Sequence, residues 1–93
     1  MAKFIQSFNQ LERLVRGFAN HRRIEILDLL DREAELSIFE ISDRLQVNFK
    51  TISEHVRRLA IAGLVVKRYE GAAVRHKLTE RGKFILKFLR TLE

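Results

Sequence analysis

The sequence predicts a mostly helical (α+β) domain with the order α1-α2-α3-α4-β-hairpin-α5. Three observations predict this class. Apolar residues recur at three- and four-residue steps through most of the chain, and residues 37–63 have the pattern of two helices joined by a tight turn. Over residues 64–78 the apolar period changes to two, as in a β-hairpin. The 93 residues are enough for one domain with one core, so we expect residues 1–93 to fold as a single unit.

The composition is typical of a folded, helix-rich protein. It has 46% hydrophobic and 32% charged residues, no Pro and four Gly. The chain has no cysteine, which excludes disulfides and thiolate metal sites. No apolar run approaches the roughly 18 residues of a membrane span, and the N-terminus lacks the apolar region of a signal peptide. We therefore expect a soluble, cytoplasmic protein that does not enter a membrane.

The first two predicted helices are amphipathic. The first, residues 3–19, has an aromatic apolar stripe made of Phe4, Phe8, Leu11, Val15 and Phe18. Asn20 is a favourable N-cap for the second helix, residues 21–32, in which apolar residues cover a wide band. We expect the second helix to lie at the centre of the core.

A helix, a tight turn and another helix follow. Residues 37–40, Ser-Ile-Phe-Glu, have the form of a capping box and begin a third helix that ends near Leu45. A three-residue connection leads to a fourth helix, which Asn48 caps and Gly63 ends. Such a turn usually contains Gly, and Gln46 stands at that place. We expect Gln46 to adopt a positive φ, at a cost of about 1 kcal/mol.

The fourth helix is the segment that we expect to meet DNA. At about 100° per residue, Ile52, Val56 and Leu59 share one face, which anchors the helix in the core. The opposite face and its edges carry Lys50, Ser53, Glu54, Arg57 and Arg58. A polar, partly cationic face is common on surface helices, so the inference depends on the segment that follows.

The segment after Gly63 is a predicted β-hairpin with basic residues. Its strands cover residues 64–69 and 73–78. The outward side carries Lys67 or Arg68 on one strand and Arg75 and Lys77 on the other. A basic two-stranded wing directly after a helix-turn-helix is what a winged helix needs to hold DNA phosphates beside the groove. The predicted architecture is therefore a winged helix-turn-helix.

The last helix, residues 79–92 with Thr79 as its cap, has more apolar circumference than one core contact requires. We expect it to bury against a second copy of the chain together with the first helix, about residues 3–19. The residues assigned to this dimer interface are Phe4, Phe8, Leu11, Val15, Phe84, Phe88 and Leu92. The alternative is that the terminal helices only complete a small core.

The net charge of +6 is unevenly distributed. Residues 50–77 contain seven Lys or Arg and two Asp or Glu. This excess is expected where a surface displaces counterions from phosphate. A membrane surface is a poorer match, because the apolar residues of the fourth helix are committed to the core.

Two sequence segments resemble the conserved patterns of a known protein family. Residues 18–27, FANHRRIEIL, match an Ala-Asn/Asp-x-x-Arg-x-x-Ile-Leu pattern at the start of the second helix. Residues 48–59, NFKTISEHVRRL, followed by Ala-Gly-Leu-Val at residues 62–65, match a pattern around the fourth helix and are the more specific of the two. With the order of the elements, they make nearly the whole chain resemble the ArsR-type winged-helix transcriptional repressors. The resemblance implies a DNA-binding regulator.

The resemblance does not include a metal site. The family's arsenic and cadmium/lead sensors have two cysteines where this chain has Ser37 and Phe39, and neither is a soft thiolate ligand. The family's zinc and nickel sensors use Asp and His on the last helix, and here no His follows His76. We therefore expect no metal and no cofactor, and interpret His21, His55 and His76 as structural or surface groups.

The predicted function is that of a regulator, expected to be a repressor, which binds specific double-stranded DNA as a homodimer with two recognition helices in successive major grooves. Base contacts are assigned to Phe49, Lys50, Thr51, Ser53, Glu54 and Arg57. Phosphate contacts are assigned to Arg22 or Arg23, Arg58, Lys67, Arg68 and Arg75.

The sequence supports three other functions less well. An enzyme is not expected, because the sequence has neither a Ser/His/Asp set nor a phosphate-binding Gly loop, and 93 residues leave little room for a catalytic cleft. A winged helix can also be a protein-interaction module. Ile61 supports that alternative, since it lies opposite Ile52 on the fourth helix. A nonspecific nucleic-acid binder would use the same basic face with little sequence preference.

Overall fold

The computed structural model describes residues 3–93. Its elements are α1 (Phe8–Phe18), α2 (His21–Arg32), α3 (Ile38–Leu45), α4 (Phe49–Ile61), β1 (Val65–Glu70), β2 (Ala73–Leu78) and α5 (Glu80–Arg90). The predicted class, mostly α with one hairpin, and the winged helix-turn-helix architecture are confirmed. Among residues 3–93, no helix has the length and apolar character needed to span a bilayer.

The first helix is shorter than predicted, because it begins at Phe8 rather than at residue 3. Ser7 and Gln10 form a capping box there: the Gln10 N–H donates to Ser7 Oγ at 3.1 Å, and the Ser7 N–H donates to Gln10 Oε1 at 2.9 Å. Phe4 therefore lies outside the helix, and the prediction that it belongs to a helical stripe is wrong. Its ring meets that of Phe8 edge to face, with 5.9 Å between the centroids.

The other predicted helix starts are confirmed. A side-chain oxygen of each predicted N-cap, Asn20, Ser37, Asn48 and Thr79, accepts a backbone N–H of the helix that follows. Caps of this kind stabilise a protein by about 1 kcal/mol each. Because each cap is local, it fixes where the helix begins whatever the tertiary contacts are. The last helix ends at Arg90, before the predicted residue 92.

The turn between α3 and α4 has the conformation that the sequence predicts. Gln46 has a φ of 55° and a ψ of 46°, in the left-handed region. Its strain of about 1 kcal/mol is offset by hydrogen bonds within the turn. Gln46 Nε2 donates to the Asp43 carbonyl at 2.8 Å, and Ser42 Oγ donates to the Val47 carbonyl at 2.5 Å.

The centre of the core is α2, as predicted. Its buried residues Ile26, Leu27, Leu29 and Leu30 meet apolar side chains from the other elements. Those buried partners are Phe18, Leu36, Ile41, Ile52, Val56, Leu59, Leu64, Val65, Leu78 and Leu86. Burying one such side chain stabilises the fold by about 1.5 to 3 kcal/mol. Since three of them belong to α4, the core fixes which side of that helix faces solvent.

The wing is an antiparallel hairpin whose turn contains Gly71 at a φ of +60°. Its register pairs Arg68 with Arg75 and Lys67 with His76. Side chains alternate between the two faces of a strand, so Arg68 shares a face with Arg75 and Lys77, and Lys67 lies on the other. The sequence left Lys67 and Arg68 as alternatives for the outward face, and the register selects Arg68.

His76 connects the wing to the core. Its side chain is 1% exposed, and Nδ1 donates to the Leu36 carbonyl at 2.9 Å. The tautomer follows, because a carbonyl oxygen only accepts. The backbones of Leu36 and His76 exchange two further hydrogen bonds, which add a bridge to the base of the hairpin. Burial lowers the pKa of His76, the hydrogen bond to Leu36 opposes that effect, and the charge of Lys67 adds to it.

The burial of His76 predicts a loss of stability on mild acidification. The folded pKa lies below the unfolded value of about 6.5, so the unfolded chain binds more protons between the two values. The free energy of unfolding therefore falls as the pH drops from 7.5 to 5.5, by up to about 1.4 kcal/mol for each unit by which the pKa is lowered. Urea denaturation at the two pH values, at fixed protein concentration, measures this difference.

The control for this prediction is the exposed His21. We expect His76→Gln to reduce the pH dependence and His21→Gln to retain it. Burial also lowers the pKa of His55, so a smaller dependence persists in the first variant. The carboxylates with lowered pKa values titrate below this pH range and do not contribute. An equal pH dependence in His76→Gln and the unchanged chain would contradict the prediction.

Candidate nucleic-acid interface

The outer face of α4 presents the residues assigned to base contacts. Ile52, Val56 and Leu59 are buried on the inner side of the helix. On the outer side, Phe49, Lys50, Thr51, Glu54 and Arg57 are exposed and Ser53 is half-buried. The structure thus brings the whole predicted set to one exposed helix whose orientation the core determines.

Glu54 binds both arginines of this face. Its Oε1 accepts from Arg57 Nη2 at 2.9 Å and from Arg58 Nε at 3.0 Å, and its Oε2 accepts from Arg57 Nε at 3.0 Å. These hydrogen bonds lower the pKa of Glu54 to about 2 and raise the pKa of Arg57. Glu54 is therefore ionised near neutral pH, and any base or phosphate must compete with it for the two guanidinium groups.

Lys50 has a different environment. It lies in the first turn of α4, and its ammonium group has no hydrogen-bond or ion-pair partner within residues 3–93. Asn48 uses its own side chain to cap the backbone N–H groups of this turn, so it does not occupy the Lys50 side chain. Lys50 is thus a cation that can bind an acceptor without breaking an existing contact.

Both wing arginines are bound to groups near the start of α3, and Arg68 is also bound to Glu70 of the wing. Arg68 Nε donates to Glu35 Oε1 at 2.6 Å, and its Nη2 donates to Glu70 Oε2 at 2.8 Å. Arg75 Nη1 donates to the Glu35 carbonyl at 3.2 Å and to Glu40 Oε1 at 3.3 Å. The pKa of Arg68 is raised by its carboxylate partners. Arg75 is half-buried and fixes the hairpin to the helix-turn-helix.

Glu35 and Glu40 were not among the predicted site residues. Their separations from the wing arginines, 33 residues for Arg68 and Glu35 and 35 for Arg75 and Glu40, leave no local pattern that would reveal the pairing. Lys67 has no ion-pair or hydrogen-bond partner for its side chain within the described part of the chain. Lys77, which is exposed on the outward face with Arg68 and Arg75, has no such partner in the described chain either, so Lys67 and Lys77 are both available to a phosphate without rearrangement.

The two arginines at the start of α2 differ from each other. Arg22 Nη1 pairs with Glu25 Oε1 at 2.8 Å and stays partly exposed. Arg23 donates from Nε to His55 Nδ1 at 3.2 Å and from Nη1 to the carbonyls of Arg16 and Gly17 at 3.0 and 3.4 Å. Arg23 therefore joins α1, α2 and α4. Two of its three guanidinium nitrogens have partners inside the protein, so a phosphate must compete for them, and its assignment to phosphate binding stays a prediction.

The apolar residues assigned to a dimer interface are uncovered in the single chain. The exposed fractions are 72% for Phe4, 77% for Phe8, 48% for Val15, 69% for Phe84, 48% for Phe88 and 67% for Leu92, and Leu11 is half-buried. The terminal segments thus carry more apolar surface than the core of one chain buries.

Residues 3–93 contain no group of three or more His, Cys, Asp or Glu placed to hold a metal ion.

The sequence of this chain matches a known family. The description of that family is bacterial regulatory protein, arsR family, and the match covers residues 20–67. A curated relative is the transcriptional activator HlyU of Vibrio cholerae serotype O1, which is 38% identical over 66 residues. This match covers 71% of the present chain and spans 60% of the relative's length.

Solved structures show the same likeness. The structure of HlyU from Vibrio cholerae N16961 has a TM-score of 0.79 and 31% identity, and the match covers 96% of this chain and 97% of HlyU. A second similar structure is the homodimeric winged helix-turn-helix DNA-binding domain, residues 1–100, of a Mycobacterium bovis protein. Its TM-score is 0.81 and its identity 27%, with 97% of this chain and 89% of that domain covered. The resemblance found in the sequence is confirmed, and the chain belongs to the arsR family of bacterial regulatory proteins.

Proposed function

We propose that this protein is a transcriptional regulator that binds specific sites on double-stranded DNA as a homodimer. The observation that carries the proposal is the geometry of α4. Its inner face is buried, and its outer face presents hydrogen-bonding side chains from its first two turns, in a helix-turn-helix followed by a basic wing. This is the arrangement in which a recognition helix enters the major groove.

Base recognition is assigned to the outer face of α4. Lys50 and Arg57 donate to O6 and N7 of guanine, which accept in the major groove. Glu54 accepts from N4 of cytosine, and Ser53 bonds to a base or a phosphate. Phe49, which is 51% exposed, or Thr51 contacts a thymine methyl group. Each good bidentate contact discriminates against the wrong base by about 1 to 3 kcal/mol.

Phosphate binding is assigned to the cations around this face. The set is Arg22, Arg58, Lys67, Arg68 and Arg75. Lys67 is available without rearrangement, whereas the four arginines must exchange carboxylate partners for phosphate oxygens. These contacts set affinity and register but carry no sequence information.

The dimer places two recognition helices on one duplex. The uncovered apolar surface of α1 and α5 supports the assembly, and the similar Mycobacterium bovis domain is homodimeric. With two-fold symmetry, the two half-sites lie about one helical turn apart and form a pseudo-palindrome. We propose repression as the mode of action. HlyU is an activator, and a reporter gene placed behind the selected site distinguishes the two outcomes.

The experiment that tests this function is selection of bound fragments from a random duplex library, followed by binding measurements on the selected site. We expect Lys50→Gln and Arg57→Gln to relax the sequence preference at single positions. We expect Lys67→Gln to weaken all duplexes alike and to reduce the slope of log K against log salt by about 1. Arg75→Gln weakens all sequences too, but it also detaches the wing from α3, so Lys67 is the cleaner test.

Arg32→Gln is the control, because it removes one exposed positive charge on α2 without touching the assigned face. An affinity that does not change between low and moderate salt would contradict DNA binding. If Lys50→Gln and Lys67→Gln acted identically, the division between base and phosphate contacts would be wrong. Duplex binding with no selected sequence would favour the nonspecific binder, and no duplex binding would favour the protein-interaction module.

A further inference from the structure

A groove lies beside the proposed DNA face, between α1, the start of α2, the last turn of α4 and the start of α5. Five arginines line it, namely Arg13, Arg16, Arg23, Arg58 and Arg81. We call it the arginine groove. Its volume of about 410 Å³ lies within the range of roughly 300 to 1,000 Å³ that small-molecule sites occupy.

The floor of the arginine groove is apolar. It includes Leu14, Ile61 and Ala62, and Ile61 is 69% exposed. The close approach of α1 to the end of α4 depends on Gly17, where an added Cβ would lie 2.5 Å from the Cβ of Ala62. Ile61 lies opposite the buried Ile52, on the exposed side of α4. In the structure it forms part of a concave surface.

The positive charge of the arginine groove is only partly compensated. Among the described residues no carboxylate lines it; Glu12 pairs with Arg16 and Glu54 with Arg58 from outside, each at 3.0 Å. Arg13 has no hydrogen-bond or ion-pair partner within residues 3–93. In Arg81, Nη1 donates to the Ala62 carbonyl at 3.2 Å, and no other nitrogen of its guanidinium has a partner in the described chain. A concave, apolar surface lined by cations concentrates anions.

On α1 the arginine groove and the proposed dimer interface lie on opposite sides, whereas Arg81 lies on the same side of α5 as Phe84 and Phe88. On a helix with about 100° per residue, Arg13 and Gly17 lie on the side of α1 opposite Phe8 and Val15. The apolar interface and the groove therefore use different faces of α1. The groove also lies at the end of α4 remote from Lys50, which belongs to the first turn.

We propose that the arginine groove binds a small organic anion, in which a carboxylate or phosphate group is joined to an apolar body. The anionic group accepts hydrogen bonds from Arg13, Arg58 and Arg81, because guanidinium groups match the planar oxygens of such anions. The apolar body packs on Leu14 and Ile61. An inorganic ion would leave the apolar floor uncovered. A neutral ligand would leave the charge of the guanidinium groups uncompensated. An organic anion with an apolar body satisfies both parts of the groove.

The site has a consequence for regulation, which rests on the proposed function. Arg58 lines the groove and is also assigned to a DNA phosphate, and its Nε is bound to Glu54. An anion that holds Arg58 removes a cation from the DNA face. Ligand binding and DNA binding therefore oppose each other, with the same coupling factor in both directions.

The test is a titration of the full chain followed by ¹H–¹⁵N NMR, with 2-naphthoate and 2-naphthyl phosphate as probes. We expect both to shift the backbone amides of Gly17 and Ala62, and to bind at least tenfold more tightly than 2-naphthylmethanol or inorganic phosphate. A preference between the two probes identifies the anionic group. Because charge-assisted hydrogen bonds are lost, the double variant Arg13→Gln/Arg81→Gln should lower the affinity by about tenfold or more.

Two variants make the assignment specific. Ile61→Ser, at an exposed position, should weaken naphthoate and leave the weak binding of inorganic phosphate unchanged. Arg32→Gln/Arg44→Gln removes the same charge from other surfaces and should keep the affinity within about twofold. The NMR spectrum of each variant shows whether the fold is retained.

Four outcomes would overturn the proposal. They are equal binding of 2-naphthylmethanol, an equal loss in the two double variants, no shift with either anionic probe at millimolar concentration, and shifts at Gly17 and Ala62 caused by duplex DNA alone. The last would make the groove a contact for DNA phosphates. If naphthoate binds and no duplex does, the proposed function fails and the anion site stands.

Discussion

Replacing Gly82 with alanine is expected to destabilise the protein by more than about 4 kcal/mol, which is enough to unfold many domains of this size. An added Cβ would lie 2.1 Å from the carbonyl oxygen of Leu64 and 3.1 Å from its carbonyl carbon. Both are backbone atoms. The Leu64 carbonyl also accepts the Thr79 N–H at 3.0 Å, so it cannot move away without losing that hydrogen bond.

The measurement is urea denaturation, with Gly71→Ala as the comparison. Gly71 has a φ of +60°, and nothing lies within 4 Å of an added Cβ. Gly71→Ala therefore carries only the strain of a left-handed conformation, about 1 to 2 kcal/mol. A Gly82→Ala variant as stable as Gly71→Ala would show that α5 does not need this close approach to the chain before β1.

The double variant Phe8→Glu/Phe84→Glu is expected to be a folded monomer with at least a hundredfold lower affinity for a two-half-site duplex. Both side chains are largely exposed in the single chain, at 77% and 69%, so the monomer tolerates the charges. In the proposed dimer the same carboxylates would be buried without partners. A monomer contacts only one half-site, so it loses the increase in DNA affinity that comes from linking two binding sites. That increase amounts to factors of about 10² to 10⁴.

Mass in solution and DNA affinity are measured together for this variant. Phe39→Glu is the control for mass, because Phe39 is 72% exposed on α3, outside the assigned interface. Affinity for a duplex with one half-site is the internal control and should not change. A variant that remains dimeric would place the interface elsewhere, and one that is monomeric but retains full affinity would contradict binding as a dimer.

The features that were predicted from the sequence are local ones. The starts of α2, α3, α4 and α5 depend on Asn20, Ser37, Asn48 and Thr79, each of which caps backbone groups within three residues. The start of α1 was misplaced because the apolar period continues through Phe4. The Ser7 and Gln10 capping box is also visible in the sequence, and it is the stronger signal.

The features that were not predicted come from residues distant in the chain. Arg23 and His55 are 32 residues apart, and Arg68 and Glu35 are 33. Periodicity identifies the outward face of an element, but it does not show which charged groups of another element lie within reach. For this reason the sequence predicts the basic residues of the wing but not Glu35 and Glu40, the carboxylates near α3 that pair with them. The arginine groove was not predicted for the same reason, since four helices contribute to it.

The bridge between Leu36 and His76 affects how the proposed complex forms. It connects the wing to the residue just before the cap of α3, and Arg75 reinforces the connection through Glu40. The hairpin is therefore fixed to the helix-turn-helix and does not move as an independent, flexible arm. The distance between α4, which is proposed to enter the major groove, and the wing, which is proposed to contact flanking phosphates, is therefore set before DNA binds. Ordering the wing then adds little entropic cost on binding. A duplex whose backbone departs from that spacing must itself deform, so we expect the proposed complex to depend on the shape of the DNA as well as on its bases.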